Sequence, residues 1–305
     1  MRLPAAAAAL IIGCTLIAGA GAAPSGGKIA FVRFTAKSGH PRIYMVSPSG
    51  GAPKLLRLPA AAAQAPAWSP DGRLLAFVAG RNVPPQRDLT VDDELYVSKA
   101  SGSSVRRLTH DPAHEGGAAW SGDGKRIVFV RTPTAGNRSA LWIVGEDGRG
   151  TRRLTRGGID LEPSWSRRGW IAFLRINPRI YQSGIWLVRP DGSGLHRILS
   201  GFRNLTNPVW SPDGTRLLVQ DGRTLATVRP DGRGRLTIAT LTVDAMGNLE
   251  DPQPAWSPDG NRVVFCQLRT GSLGRSDIWV VGADGQSLHR LTRSQELDTD
   301  PSWAY

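Results

Sequence analysis

The stretch PAWSPDG stands at residues 66–72 and returns, letter for letter, at 254–260. Near-copies lie between and around them: AAWSGDG at 118–124, PSWSRRG at 163–169, PVWSPDG at 208–214 and a truncated PSWAY at 301–305. A catalytic motif is needed once, whereas a stacked structural unit must be written many times. The tryptophans of these copies, Trp68, Trp120, Trp165, Trp210, Trp256 and Trp303, recur every 45 to 52 residues. A period of roughly 40–50 residues with four short strands per unit is the signature of propeller blades.

One unit can be read strand by strand. AAW (118–120) is an innermost strand, and SGDG is a tight turn with glycine where φ is positive. KRIVFV (125–130) is a second strand, apolar on both faces as burial between neighbouring blades requires. LWIV (141–144) is a third strand. EDGRG carries an Asp-Gly hairpin signal, and TRRLT (151–155) is the outermost strand. The ends complete the count: KIAFV (28–32) is a second-type strand without a Trp strand before it, and PSWAY is an innermost strand with nothing after it. The C-terminal strand is therefore expected to pair into the first blade and close a six-bladed, all-β ring of four-stranded antiparallel blades, which hides two sheet edges. The apolar face at a period of 3.6 that marks helices is not sustained after residue 25. The 36 glycines and 22 prolines suit turns.

The first residues read differently. Arg2 precedes an Ala/Leu/Ile run, and Ala20-Gly21-Ala22 fits an A-x-A cleavage site, so residues 1–22 are expected to be a secretory signal peptide and 23–305 a single propeller domain. The rivals are an uncleaved anchor and lipidation at Cys14. On every one of these readings the chain is exported, to the periplasm or beyond, and signal cleavage is expected to leave no stable transmembrane segment. Cys266, in the apolar run VVFC, is expected to be a buried small hydrophobe.

The string W-S-P-D-G, then a strand such as I-A-F, then I-W-V or L-Y-V, then D-G and R-x-L-T, resembles the TolB-type β-propeller repeat. The resemblance runs from about residue 28 to 305, with PSWSRRG the departure, its turn lacking Pro-Asp. A second departure is expected: TolB itself carries an N-terminal α/β domain before its propeller, and the residues before 28 leave no room for one. The resemblance implies a binding role in the cell envelope, where TolB contacts a peptidoglycan-associated lipoprotein.

Short SPDG and DG hairpins share one face of such a ring, and the longer second-to-third and fourth-to-first connections share the other, where function is expected. Ten of the 25 acidic residues lie in the fourth-to-first connections: Asp111, Glu115, Asp160, Glu162, Asp244, Glu250, Asp251, Glu296, Asp298 and Asp300. These lead into the innermost strands, so their side chains are expected to ring the channel mouth and make a socket for a cation, an amine or a basic peptide. The bland alternative is that they make turns and cap strand ends.

The chain as a whole carries +13. Arg106, Arg107, Arg152, Arg153, Arg197 and Arg290 fall on outermost strands, where charge discourages edge pairing. Arg42, Arg81, Arg87, Arg138, Arg179 and Arg275 fall by the loop face, where they could meet anionic polysaccharide or lipid head groups. Nucleic acid is not an expected partner of an exported chain.

The segment THDPAHEGG places His110, Asp111, His114 and Glu115 within six residues, with His40 in another loop of the same face. Imidazoles and carboxylates are ligands of zinc and manganese, and some propeller polysaccharide lyases hold a metal at this end. The spacing, however, matches no defined metal motif. A hydrolase of the prolyl-oligopeptidase kind needs a G-x-S-x-G elbow, which the sequence lacks.

Together these readings predict an exported, monomeric, non-catalytic scaffold for an envelope protein or peptide. It would be engaged at a channel mouth formed by Glu115, Asp160, Glu162, Asp251, Asp298 and Asp300. No cofactor is expected beyond a divalent cation that the mouth could hold. The alternative is a metal-dependent lyase-like enzyme using His110, Asp111 and His114.

Overall fold

In a computed structural model, residues 27–35, 39–60, 62–80, 93–134, 138–180, 182–200, 205–243, 251–272 and 275–304 are described. The expected signal peptide, Cys14, Arg81, Arg87, Asp244 and Glu250 lie outside them. The described residues form six four-stranded antiparallel sheets and no helix. Innermost strands of successive blades touch all the way round, and the ring closes between the first and second blades.

Blade 1 is Ile29–Phe34, Pro41–Val46 and Lys54–Leu55, with Leu297–Trp303 as its innermost strand. The C-terminal closure read from the two chain ends is therefore present, in register Ile29↔Trp303 and Arg33↔Asp298. Second strands form the core: Phe31, Phe77, Phe129, Phe173 and Phe265 are fully buried, and Cys266 is buried among them. All six repeat tryptophans are buried. Two of them hydrogen-bond across blades, Trp120 Nε1 donating to the Ala67 carbonyl and Trp256 Nε1 to that of Val209.

The repeated heptapeptide is a turn held by its own side chains. Ser69 Oγ donates to Asp71 Oδ1 at 2.6 Å, Asp71 Oδ1 accepts the Arg73 amide, and Gly72 sits at φ 68°. The pattern repeats at Ser121/Asp123, Ser211/Asp213 and Ser257/Asp259. Where the fourth blade reads SRRG, Ser166 Oγ instead accepts the Arg168 amide, and Gly169 keeps φ 79°.

Outermost strands are shorter than read. Only Arg152–Arg153 of the stretch 151–155 is strand, because the threonine of R-x-L-T leaves the ladder. Its hydroxyl takes a third-strand amide instead: Leu95 N donates to Thr109 Oγ1, Leu141 N to Thr155 Oγ1 and Ile278 N to Thr292 Oγ1. Blades 4 and 5 differ, with five-residue outer strands His196–Ser200 and Leu236–Thr240.

Candidate functional site

In five blades the innermost strand is interrupted about three residues before its tryptophan, and in blade 6 the strand, Ala255–Trp256, begins after that point. In blades 2, 4, 5 and 1, two residues there oppose one on the second strand, a β-bulge. The first bulged residue is left-handed: Ala65 (φ 50°), Glu162 (φ 52°), Asn207 (φ 55°) and Asp300 (φ 48°), with Gln253 (φ 41°) equivalent in blade 6. A proline follows each one, and Gly117 takes the place in blade 3. A non-glycine residue at positive φ is uncommon. Here it re-aims five side-chain positions into the channel.

These positions line one cavity of about 450 Å³, together with His114, Glu115 and Asp251. Its wall is uneven: Ala65, Gly116 and Gly117 make one side small, while Glu162, Asn207, Asp251, Gln253 and Asp300 make the other acidic and amide-bearing. No lysine or arginine is among the lining residues.

The polar atoms interlock from blade to blade. Asn207 N donates to Glu162 Oε2 at 2.6 Å, Asp300 N to Gln253 Oε1 at 2.9 Å, and Gln253 N to Asp251 Oδ1 at 3.3 Å. Asn207 Nδ2 also donates to Asp251. Burial pushes the carboxyl of Glu162 up to about 7 and that of Asp300 up to about 6, helped in both by the negative charge of Asp251. Asp251 itself is raised by burial, against the pull of its bonds from Asn207 and Gln253. All three keep surface open to the channel, Glu162 and Asp300 being half-buried and Asp251 exposed.

The six carboxylates expected at the mouth therefore divide. Glu162, Asp251 and Asp300 meet in the cavity, and Glu115 borders it. Asp160 and Asp298 do not, and the expectation for them is corrected. Both are fully buried and bidentate to an arginine of the second strand, Asp160 to Arg175 at 2.6 and 2.8 Å and Asp298 to Arg33 at the same distances. Glu115 Oε1 is held likewise by Arg131 at 2.7 Å, yet burial outweighs the arginine and lifts its carboxyl to about 7. Its Oε2 is buried without a hydrogen-bond partner. In blade 6 the position matching these arginines is Gln267, so Asp251 is not drawn into the sheet.

Sequence reading passed over Asn207 and Gln253. Their signal was the residue before proline in X-Pro-x-Trp.

The histidine segment does not converge. His110 is exposed, Asp111 pairs with Arg131 Nη1 at 2.7 Å, and His114 lies in the channel wall with Nδ1 buried and without a hydrogen-bond partner. Among the described residues no three His, Cys, Asp or Glu side chains are grouped to hold a metal ion. Around the loop face, Arg42, Arg138, Arg179 and Arg275 are exposed. No helix among the described residues is long and apolar enough to cross a membrane.

The family model of the TolB beta propeller domain matches residues 10–252. The Tol-Pal system protein TolB of Anaeromyxobacter dehalogenans is 34% identical over 117 residues, 38% of this chain and 24% of that protein. The uncharacterized peptidase YuxL of Bacillus subtilis is 37% identical over 65 residues, 21% of this chain and 9% of that protein. The chain thus spans less than a quarter of either relative's length. Among solved structures, TolB from Acinetobacter baumannii superposes with a TM-score of 0.73 at 20% identity, over 91% of this chain and 66% of that one. An oligogalacturonate lyase in complex with manganese gives 0.54 at 15% identity, over 88% and 74%. At such identities the likeness to solved structures is one of fold, while the family model covers most of the sequence. The chain belongs to the TolB β-propeller family.

Proposed function

We propose that this protein is an exported, non-catalytic scaffold of the cell envelope that grips a cationic group of a protein or peptide partner in the loop-face mouth of its channel. The observation that carries this reading is the cavity of about 450 Å³ into which Glu162, Asp251 and Asp300 converge from three blades with no lysine or arginine among its lining. Elsewhere in the ring, Asp160, Glu115 and Asp298 each have their own arginine. A guest ammonium or guanidinium would supply the charge that the mouth lacks, and would draw its carboxyls toward the ionised form. Export rests on residues 1–22, read as a signal peptide, and the envelope on the Tol-Pal system named for the relative. The metal-dependent alternative loses its motive, since Asp111 is committed to Arg131 and His110 faces solvent.

The test is capture from envelope extract by the immobilised protein, beside a variant carrying Glu162→Gln, Asp251→Asn and Asp300→Asn. The reading expects a protein retained by the unaltered chain and released by the amides or by salt. Equal retention by both, or none by either, overturns it.

A further inference from the structure

A second cavity, of about 230 Å³, opens at the outer part of blade 4, lined by Gly157, Gly184, Arg175, Trp186 and Arg197 among others. Its meaning comes from the sister blades. In blades 2 and 6 the third-strand residue two before the aromatic is a buried carboxylate, Glu94 or Asp277. Each faces an arginine of the outermost strand: Glu94 Oε1 lies 3.7 Å from Arg107 Nη2, and Asp277 Oδ2 lies 3.5 Å from Arg290 Nε. Those arginines sit opposite the aromatic, in the pairs Tyr96↔Arg107 and Trp279↔Arg290.

Blade 4 keeps the pair Trp186↔Arg197 but has Gly184 where the carboxylate belongs. Blade 3 has an acid at another place and for another arginine: Asp111, two residues past Thr109 of the preceding blade, reaches the second-strand Arg131 at 2.7 Å. The residue two past Thr155, entering blade 4, is Gly157. Both places that hold an acid in the sister blades are glycine here.

The charge balance changes accordingly. Arg175 has Asp160 as its acid. Arg197 is exposed and makes no side-chain hydrogen bond or ion pair with another described residue. Backbone geometry keeps a side chain out of position 184. The ladder shifts between Ile185 and Trp186, and a Cβ on Gly184 would lie 2.9 Å from the Leu199 carbonyl oxygen and 3.1 Å from Arg197 Cδ. A side chain of this strand cannot fill the space, but a molecule entering from solvent can.

We infer that blade 4 binds an external carboxylate, that of a small aliphatic or sugar acid, between Arg175 and Arg197 with its carbon skeleton against Trp186. The guanidinium of Arg197 forms charge-assisted bonds to the acid, on the side where its counterparts face Glu94 and Asp277 as ion pairs. The indole supplies apolar contact. This site is separate from the channel and does not rest on the function proposed for it.

The test titrates the full protein with propionate beside propionamide and with glucuronate beside glucose, by ligand-observed NMR. At least one acid is expected to bind while its uncharged counterpart does not, and the pair that responds tells an aliphatic from a sugar source. Arg197→Gln is expected to weaken binding by about tenfold or more, the worth of one charge-assisted hydrogen bond. Arg149→Gln, on an exposed hairpin outside the cavity, leaves binding unchanged, and melting curves confirm that both variants fold. Failure of both acids to bind at millimolar concentration, equal binding of the uncharged partners, or equal losses in the two variants overturns the site.

Discussion

Glu162 of blade 4 accepts the backbone N–H of Asn207 of blade 5 at 2.6 Å. The donor belongs to a left-handed bulge residue, whose amide the ladder does not use. An unpaired buried amide is costly, so the glutamate serves as a strap between neighbouring blades. Gln253 does the same for the Asp300 amide, and Asp300 for that of Ala65. Glu162 and Asp300 are thus structural and solvent-facing at once: each holds the next blade while its carboxyl meets whatever enters the channel.

This double duty has a pH signature. Glu162, Glu115 and Asp300 have folded values of about 7, about 7 and about 6, above the ordinary 4.5 of glutamate and 3.8 of aspartate. Their contribution to stability is complete below the ordinary values and drains as pH rises through the folded ones. The turn aspartates Asp71, Asp123, Asp213 and Asp259 behave oppositely. Their carboxyls are lowered below 3.8, by bonds from the serine and the following amide, so their contribution is lost in acid. The melting temperature is expected to peak near about pH 5 and fall by about pH 8. Glu162→Gln keeps an oxygen for the Asn207 amide and should recover on the order of 1–2 kcal/mol of the alkaline loss, after allowing for screening by channel water. Melts of both proteins at the two pH values decide it: parallel curves would contradict the assignment.

The blades were legible because each one repeats the same local chemistry, and the ends were legible because a second-type strand and a lone Trp strand complement each other. The channel was half legible. Acids crowd the fourth-to-first connections, but which of them stay free depends on the facing strand. The string F-x-R at Phe31-Val32-Arg33, Phe129-Val130-Arg131 and Phe173-Leu174-Arg175 marks the blades whose acid is consumed. That rule needs the register between first and second strands, which spacing alone does not supply. The pocket at Gly184 was illegible for a related reason: a missing carboxylate is visible only when blades are superposed strand by strand.

The bulge makes a backbone prediction at Ala65. Its φ of 50° costs an L-residue about 1–2 kcal/mol, and glycine removes that strain while adding about 0.5–1 kcal/mol of unfolded-chain entropy. Ala65→Gly is expected to raise the urea midpoint slightly. Two residues on, Ala67 pairs in the ladder with Ala76, so Ala67→Gly carries the entropy cost alone and lowers it. Shifts of the same sign in the two variants would remove strain as the explanation.

The heptapeptide turn predicts a modest, repeatable loss. In blade 6, Asp259 Oδ1 accepts from Ser257 Oγ at 2.5 Å and from the Asn261 amide at 3.0 Å. Asp259→Ala removes both in an accessible turn, at a cost of about 1–2 kcal/mol. Asp213→Ala, where Thr215 Oγ1 adds a further bond to the carboxylate, should cost at least as much. Equilibrium urea denaturation at pH 7 measures both, and a loss below experimental error in each would show the turn to be set by its backbone alone.

The ring closure offers the sharpest contrast. Arg33, near the start of the described chain, grips Asp298 in the closing strand at 2.6 and 2.8 Å, and its guanidinium lies 5.0 Å from the Tyr44 ring centroid. Asp298 is fully buried, so Asp298→Asn leaves a cation facing a neutral amide inside the closing blade. Breaking a buried pair from one side costs about 3–5 kcal/mol, well above the roughly 0–1 kcal/mol of an exposed pair such as Arg73 with Asp71. Because Leu297–Trp303 is the strand that joins the chain's two ends, the loss should appear first as opening of blade 1. Hydrogen exchange would then speed up at the amides of Ile29–Phe34 before those of Ile171–Asn177. Uniform acceleration across the ring would instead mean that the propeller unfolds as one unit and that closure has no separate weak point.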